Sequence, residues 1–214
     1  MFRVLCWSVL LLAVPSPPAA DLIPSLGTPL SHAHAHNDYE HDRPLLDALE
    51  NGFCGVEADV HLLDGQLLVA HDPEDVQPDR TLESLYLAPL WKIVQHNRGR
   101  VYPGGSDVLL LIDFKTPGEP TYRALEKVLE KYRAMLTHFE PDNIQTNAVT
   151  VVVSGNRPRD FMLQQKKDRL AGYDARLSDL PASLPPAFAP LLSDNWQTHF
   201  TWRGDGEFPL AERE

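Results

Sequence analysis

Apolar and polar positions follow two alternating rhythms along this chain. From Gly55 to Leu62 the period is two, with Val56, Ala58 and Val60 on one side of a strand and Glu57, Asp59 and His61 on the other. Leu30 to His36 reads as an earlier strand that ends in the polar turn Asn37-Asp38-Tyr39. Val108 to Lys115 (VLLLIDFK) is almost continuously apolar, as in a strand buried on both faces, and ends with Asp113 and Lys115 alternating against Ile112 and Phe114. Val149–Val153, Leu170–Tyr173 and Leu191–Ser193 predict three more strands. Helical patterns lie between them. Arg43-Pro44 opens a short helix that Asn51-Gly52 closes, with Leu45, Leu46 and Leu49 facing inward. Thr81 to Gln95 carries leucines at helical spacing, broken or kinked by Pro89. Pro120 to His138 predicts the clearest helix, its apolar stripe made by Leu125, Val128, Leu129, Tyr132, Met135 and Leu136. Pro158 to Lys167 predicts another.

Strands alternating with helices predict an α/β fold built on a parallel sheet or barrel. Polar residues stand at the strand C-terminal ends (His36, Asp59, Lys115, Ser154, Asp174 and Asp194), where barrel enzymes assemble their sites. Asp64-Gly65 signals a hairpin after the second strand, and the loop length has a consequence. A two-residue loop sets His71 opposite Ala58, on the wrong face for Glu57 and Asp59, whereas a three-residue loop sets it opposite one of those carboxylates. A shared site therefore requires the longer loop, or a return segment that leaves the ladder before His71.

A chain of 214 residues with 43% hydrophobic content can bury one sizeable core. Its formal net charge of −11 argues against nucleic acid as a partner. Residues 1–20 differ from the rest: Arg3, the apolar run Val4–Val14 and the ending PSPPAA form a secretory signal cleaved near Ala20. Pro18 is unfavourable three residues before that cut. An uncleaved anchor is the competing reading, although the run is too short to span a bilayer comfortably. Residues 21–30 form a linker and 31–214 the main domain. Cleavage removes Cys6 and leaves Cys54 alone, so no internal disulfide is expected.

Six of the nine histidines lie between Ser31 and Asp72: His32, His34, His36, His41, His61 and His71. His34 and His36 can share one strand face. Glu57 and Asp59 do the same between valines, and carboxylates are seldom buried unless paired or bound to a metal. His-x-His alone is a weak signal, and Asp113-Phe-Lys115 alone is compatible with a structural ion pair. A metal-bound phosphate site needs oxygen ligands, a cation for the phosphate, and an acid and a base. These segments contain all of them.

In the same order, His36, Glu57-Ala-Asp59, His71-Asp72 and Asp113-Phe-Lys115 resemble the phospholipase-C-like phosphodiesterase superfamily. HAHNDYE, GVEADV, RTLESLYLAPL, LLLIDFKT, VVVSGNRP and DARLSDL are most similar to its altered-inheritance-of-mitochondria protein 6-like branch. The resemblance implies a TIM-type (β/α) barrel, of which this chain supplies about six of eight strands and lacks the last βα units. An open barrel edge would be an aggregation liability. It also implies a metal-dependent phosphoric diester hydrolase acting on a glycerophosphodiester or a phospholipid-headgroup-like substrate in lipid metabolism. Glu57, Asp59 and Asp113 would hold one divalent cation, Mg²⁺ or Ca²⁺. His36 and His71 would be acid and base, with Lys115, Asn37 and His34 binding substrate. His34 can replace His36 if the alignment slides by one strand repeat. Asn37 and Asp38 replace the arginine and glycine of glycerophosphodiesterases, which leaves the substrate open. The other expectations are secretion, a monomer, and transient contact with a membrane surface. The competing readings are a two-metal hydrolase of the amidohydrolase or polymerase-and-histidinol-phosphatase type, and a secreted cation- or headgroup-binding protein without turnover.

Overall fold

A computed structural model describes residues 23–105, 107–141, 143–165, 168–182 and 184–212. The expected leader and Cys6 lie outside them. The strands are β1 (Leu30–Ala35), β2 (Phe53–Leu63), β3 (Gln66–Val69), β4 (Val108–Phe114), β5 (His138–Glu140), β6 (Asn143–Gln145), β7 (Val149–Gly155), β8 (Gly172–Ala175) and β9 (Leu191–Leu192). Six of them form a parallel sheet in the order β1-β2-β4-β7-β8-β9, curled into half a barrel, and β3 pairs antiparallel with β2. The order never reverses. A sheet wound in one direction keeps its crossovers on one face, as in a barrel, whereas a doubly wound sheet changes direction at a switch point.

The convex face is the core. Val56, Ala58, Val60, Leu110, Ile112, Phe114, Val151 and Val153 are closed off by Leu49 of α1 (Leu46–Glu50), Leu90 and Ile93 of α2 (Ala88–His96), and Tyr122, Leu125 and Leu129 of α3 (Gly118–Glu130). The concave face is more open, and Leu109, Leu111 and Thr150 are only half-buried on it. The expectation that VLLLIDFK is buried on both faces is therefore corrected. Helices cover one side completely, and six curled strands leave the other partly exposed.

Two helical expectations also change. The helix predicted over 120–138 ends at Glu130, followed by a 3₁₀ turn at Arg133–Met135 and by β5. Met135 and Leu136 are fully buried, but Leu136 bridges to Val149 of the sheet. The apolar period continued past the point where sheet pairing took over the backbone. Pro89 is accommodated by a π-helical turn over Glu83–Leu87, after which α2 starts with the proline in its first turn. The segment predicted over 158–167 is helical at α4 (Arg159–Leu163), and α5 (Trp196–His199) follows β9. Among the described residues, no helix is long and apolar enough to cross a membrane.

Candidate active site

The hairpin resolves the geometric question raised by Asp64-Gly65. The loop has two residues, with Asp64 at φ 47 and Gly65 at φ 79, and the pairing runs from Leu63↔Gln66 to Val60↔Val69. That register alone would aim His71 away from the carboxylates. The strand ends at Val69 instead, and the freed His71 turns so that Nδ1 lies 2.9 Å from Asp59 Oδ2.

Register places the carboxylates. Asp59 and Asp113 are direct partners across β2 and β4, so both side chains emerge on the concave face at the strand C-terminal ends, with Glu57 one pair below Asp59. One oxygen from each of Glu57, Asp59 and Asp113 lies within 4.8 Å of the others, the one such group of ligating side chains among the described residues. Lys115 Nζ sits 2.9 Å from Asp59 Oδ2 and 3.1 Å from Asp113 Oδ1. Gly155 permits this crowding: at φ 65 a Cβ there would meet Asp113 Oδ1 at 2.4 Å.

Asp59 is the hub. Its side chain is 1% exposed, and Oδ2 receives Lys115, His71 and the Tyr39 hydroxyl, the last at 2.6 Å. Its other oxygen, Oδ1, is buried without a hydrogen-bond partner among the described residues. A carboxylate oxygen in that state is costly unless a cation or proton meets it. Three carboxylates with no imidazole among them form a hard, all-oxygen donor set of the kind that holds Mg²⁺ or Ca²⁺.

Electrostatics follow from this crowding. Burial, then the charges of Asp59 and Asp113, push the Glu57 carboxyl above its ordinary value, against the opposing pull of His36 and the Asn37 N–H. Burial works to depress the Lys115 ammonium, but hydrogen bonds and charge from Asp59 and Asp113 outweigh it and hold the ammonium above its usual value. Burial and the bond to Asp59 raise the Tyr39 hydroxyl, which stays a neutral donor. Because Asp59 accepts at Oδ2, His71 carries its proton on Nδ1 and presents Nε2 as the free basic nitrogen.

The remaining site residues divide. His36 Nε2 stands 3.4 Å from Glu57 Oε2 and is 76% exposed, so it joins the site from the solvent side. Asn37 adopts a left-handed conformation (φ 48) and donates its backbone N–H to Glu57 Oε2 at 3.3 Å, while its side chain turns to Glu40. Asn37 thus contributes its backbone N–H to the site, and its amide is engaged by Glu40. His34 is paired with Gly55 below the carboxylates, its Nδ1 2.7 Å from where a Cβ of that glycine would be. Burial and the neighbouring His36 lower its pKa, which favours the neutral imidazole. His61 bonds the His71 carbonyl through Nε2 at 3.2 Å and so helps hold the return segment. Tyr39 is the residue that sequence reasoning missed. It stands in a polar turn, and its one signal is an aromatic ring that must be buried somewhere. His138 pairs with Asp168, and His199 with Asp194, so neither joins the carboxylates.

The AIM6-like phosphodiesterase domain matches residues 27–174, well over half of the chain. Among curated proteins, altered inheritance of mitochondria protein 6 of Lachancea thermotolerans is 37% identical over 161 residues, covering 66% of this chain and 38% of that protein. The homolog from Arthroderma benhamiae is 31% identical, covering 69% of this chain and 54% of its own length. The Saccharomyces cerevisiae protein (strain YJM789) is 28% identical, covering 80% and 54%. The chain thus spans between 38% and 54% of the length of these relatives. No solved structure matches. The chain belongs to the AIM6-like branch of the phospholipase-C-like phosphodiesterase superfamily.

Proposed function

We propose that this protein is a metal-dependent phosphodiesterase that cleaves a glycerophosphodiester or a related headgroup ester. One observation carries the reading. Asp59 has one oxygen fixed by Tyr39, His71 and Lys115 and the other buried without a described partner, and its carboxylate is grouped with those of Glu57 and Asp113. Glu57, Asp59 and Asp113 would hold one Mg²⁺ or Ca²⁺, which when bound supplies Lewis-acid polarisation of the phosphoryl oxygens.

The chain's own residues do the rest. His71, with Nδ1 held by Asp59, takes the proton of the attacking hydroxyl on Nε2. His36, exposed beside Glu57, returns a proton to the leaving alkoxide oxygen as its bond to phosphorus breaks. The attacking hydroxyl is either water or a neighbouring hydroxyl of the substrate. Lys115, held as an ammonium by two carboxylates, offsets charge developing on the phosphate. Asp59 therefore has a second duty beyond the cation, that of setting the His71 tautomer. The leader-like residues 1–20 add secretion to this proposal, which N-terminal sequencing of the exported protein would test.

The test is release of alcohol from bis(p-nitrophenyl) phosphate and from glycerophosphodiesters, with Mg²⁺, with Ca²⁺ and with chelator. Turnover that chelator removes and either cation restores is the expected result. A folded protein that binds the cation and turns over none of these esters would overturn the hydrolytic reading in favour of a binding role.

A further inference from the structure

The same rim carries a second built cluster, two strands from the carboxylates. Asp174, at 0% exposure, lies near the end of β8 on the concave face. It accepts from Ser154 Oγ at 2.8 Å, from Ser193 Oγ at 2.9 Å, and from Arg176 Nη1. Arg176 also donates to Ser193 Oγ at 2.8 Å and, through Nη2, to Ser154 Oγ at 3.0 Å. Its backbone N–H is pinned by Asp179 at 2.9 Å. The guanidinium is thus aimed by three side chains and one backbone bond. Yet its Nε and one Nη2 hydrogen have no protein partner among the described residues, and the side chain is 28% exposed. A guanidinium has five donor hydrogens in a rigid fork, so these two stay available to a ligand.

Position gives the fork a task. Ser154 is the register partner of Asp113, so Arg176 reaches the rim about one strand spacing, ~5 Å, beyond the carboxylates. Lys115 already touches Asp59 and Asp113, so Arg176 stands as a second cation farther along the same rim. Below the rim the concave face holds a cavity of about 310 Å³, whose lining includes His34, Gly55, Leu109, Leu111, Leu191 and Ser193. Leu111 is the register partner of Glu57, and Ser193 is held by Arg176, so this mostly apolar cavity runs from the strand pair that carries the carboxylates to the Arg176 cluster at Ser193.

We infer that the cavity seats the alcohol arm of the phosphodiester and that Arg176 reads an anionic group on that arm, a carboxylate or a second phosphate. The inference rests on the hydrolytic reading for its substrate, and adds the specificity. Asp174 neutralises the guanidinium overall, so recognition comes from its directed free donors, in the geometry that fits a carboxylate or phosphate.

Two probes decide it: p-nitrophenyl butyl phosphate, and its analogue whose butyl chain ends in a carboxylate. The wild-type protein should favour the carboxylate ester in kcat/KM by roughly tenfold or more, mainly through KM. Arg176→Gln should collapse that ratio toward one. Arg176→Lys, which keeps the cation opposite Asp174 and guards against misfolding, should retain part of it. Equal kcat/KM for the two esters in the wild type, or an unchanged ratio in Arg176→Gln, overturns the inference and leaves the hydrolytic reading standing. Calorimetry with the corresponding dialkyl phosphates, which hydrolyse too slowly to interfere, separates the two proposals. Carboxylate-dependent binding that is lost in Arg176→Gln, in a protein without turnover, upholds the arm site and overturns the hydrolytic reading.

Discussion

Asp59 and Asp174 stand at comparable places, each on the concave face near the C-terminal end of a parallel strand and each buried. Their surroundings differ in one respect. Asp174 has both oxygens engaged, by Ser154, Ser193 and Arg176. Asp59 has Tyr39, His71 and Lys115 crowded onto Oδ2, while Oδ1 meets no described donor, and its carboxylate is grouped with two others. A closed set of donors makes a buried carboxylate structural. An unequal set beside other negative groups makes it a candidate cation ligand. Strand position and residue type are shared, so only the partners tell them apart.

The largest effect should come from exchanging the two outcomes. Asp174→Asn leaves Arg176 facing a neutral amide at a buried site and should cost on the order of 3 kcal/mol of stability, read by chemical denaturation. Its cation affinity, measured by calorimetry with Ca²⁺ or Mg²⁺, should match that of the wild type. Asp59→Asn should do the reverse. Cation affinity should fall by roughly a hundredfold, while apo-protein stability changes little because one charge leaves a crowded acidic cluster. If both variants lose stability and neither loses cation affinity, the distinction between the two aspartates is wrong. Within the Asp59 cluster, His71→Ala should lower turnover by roughly 10²–10⁴-fold while leaving cation affinity largely intact. Unchanged turnover would remove His71 from the mechanism.

Much of this contrast was legible in the residues. Period-two alternation put Glu57 and Asp59 on one strand face and aligned Asp113 with Lys115, because side-chain direction in a strand depends on spacing alone. The six parallel strands were legible for the same reason, although β8 starts two residues later than Leu170. Partners were not. Tyr39 reaches Asp59 from a turn with no periodicity, and Arg176 reaches Ser154 across 22 residues of sequence. The Leu136 bridge to Val149, which follows the early end of α3, is likewise a tertiary contact that no local period encodes. Spacing predicts which way a side chain points, and the fold decides what it meets.

Tyr39→Phe tests a smaller part of the difference. It removes the 2.6 Å bond to Asp59 and the 3.3 Å contact with His71 Nδ1 while keeping the buried ring. A loss of about 1 kcal/mol in transition-state stabilisation, or several-fold in kcat, is expected. A change in KM with kcat intact would mean that the hydroxyl binds substrate and does not position Asp59 and His71.

Asp38 supplies the finest control, since it shows that a buried oxygen without a partner does not by itself make a cation site. Its Oδ2 accepts from the Leu45 N–H at 2.5 Å and from the Tyr86 hydroxyl at 3.0 Å, while Oδ1 is buried without a described partner, as in Asp59. Asp38 is not part of the three-carboxylate group, and a proton can resolve its burial. Burial raises its carboxyl pKa above the ordinary aspartate value, outweighing the two hydrogen bonds. A folded-state pKa raised above the unfolded one gives stability that is fully present below the unfolded value. That stability is lost as pH rises through the raised value. Asp38→Asn, always neutral, should therefore gain stability relative to the wild type as pH climbs above the ordinary aspartate range. Denaturation curves across that range, without divalent cation, measure the difference. Parallel pH dependences for the two proteins would mean that Asp38 stays ionised, and that the proton does not distinguish it from Asp59.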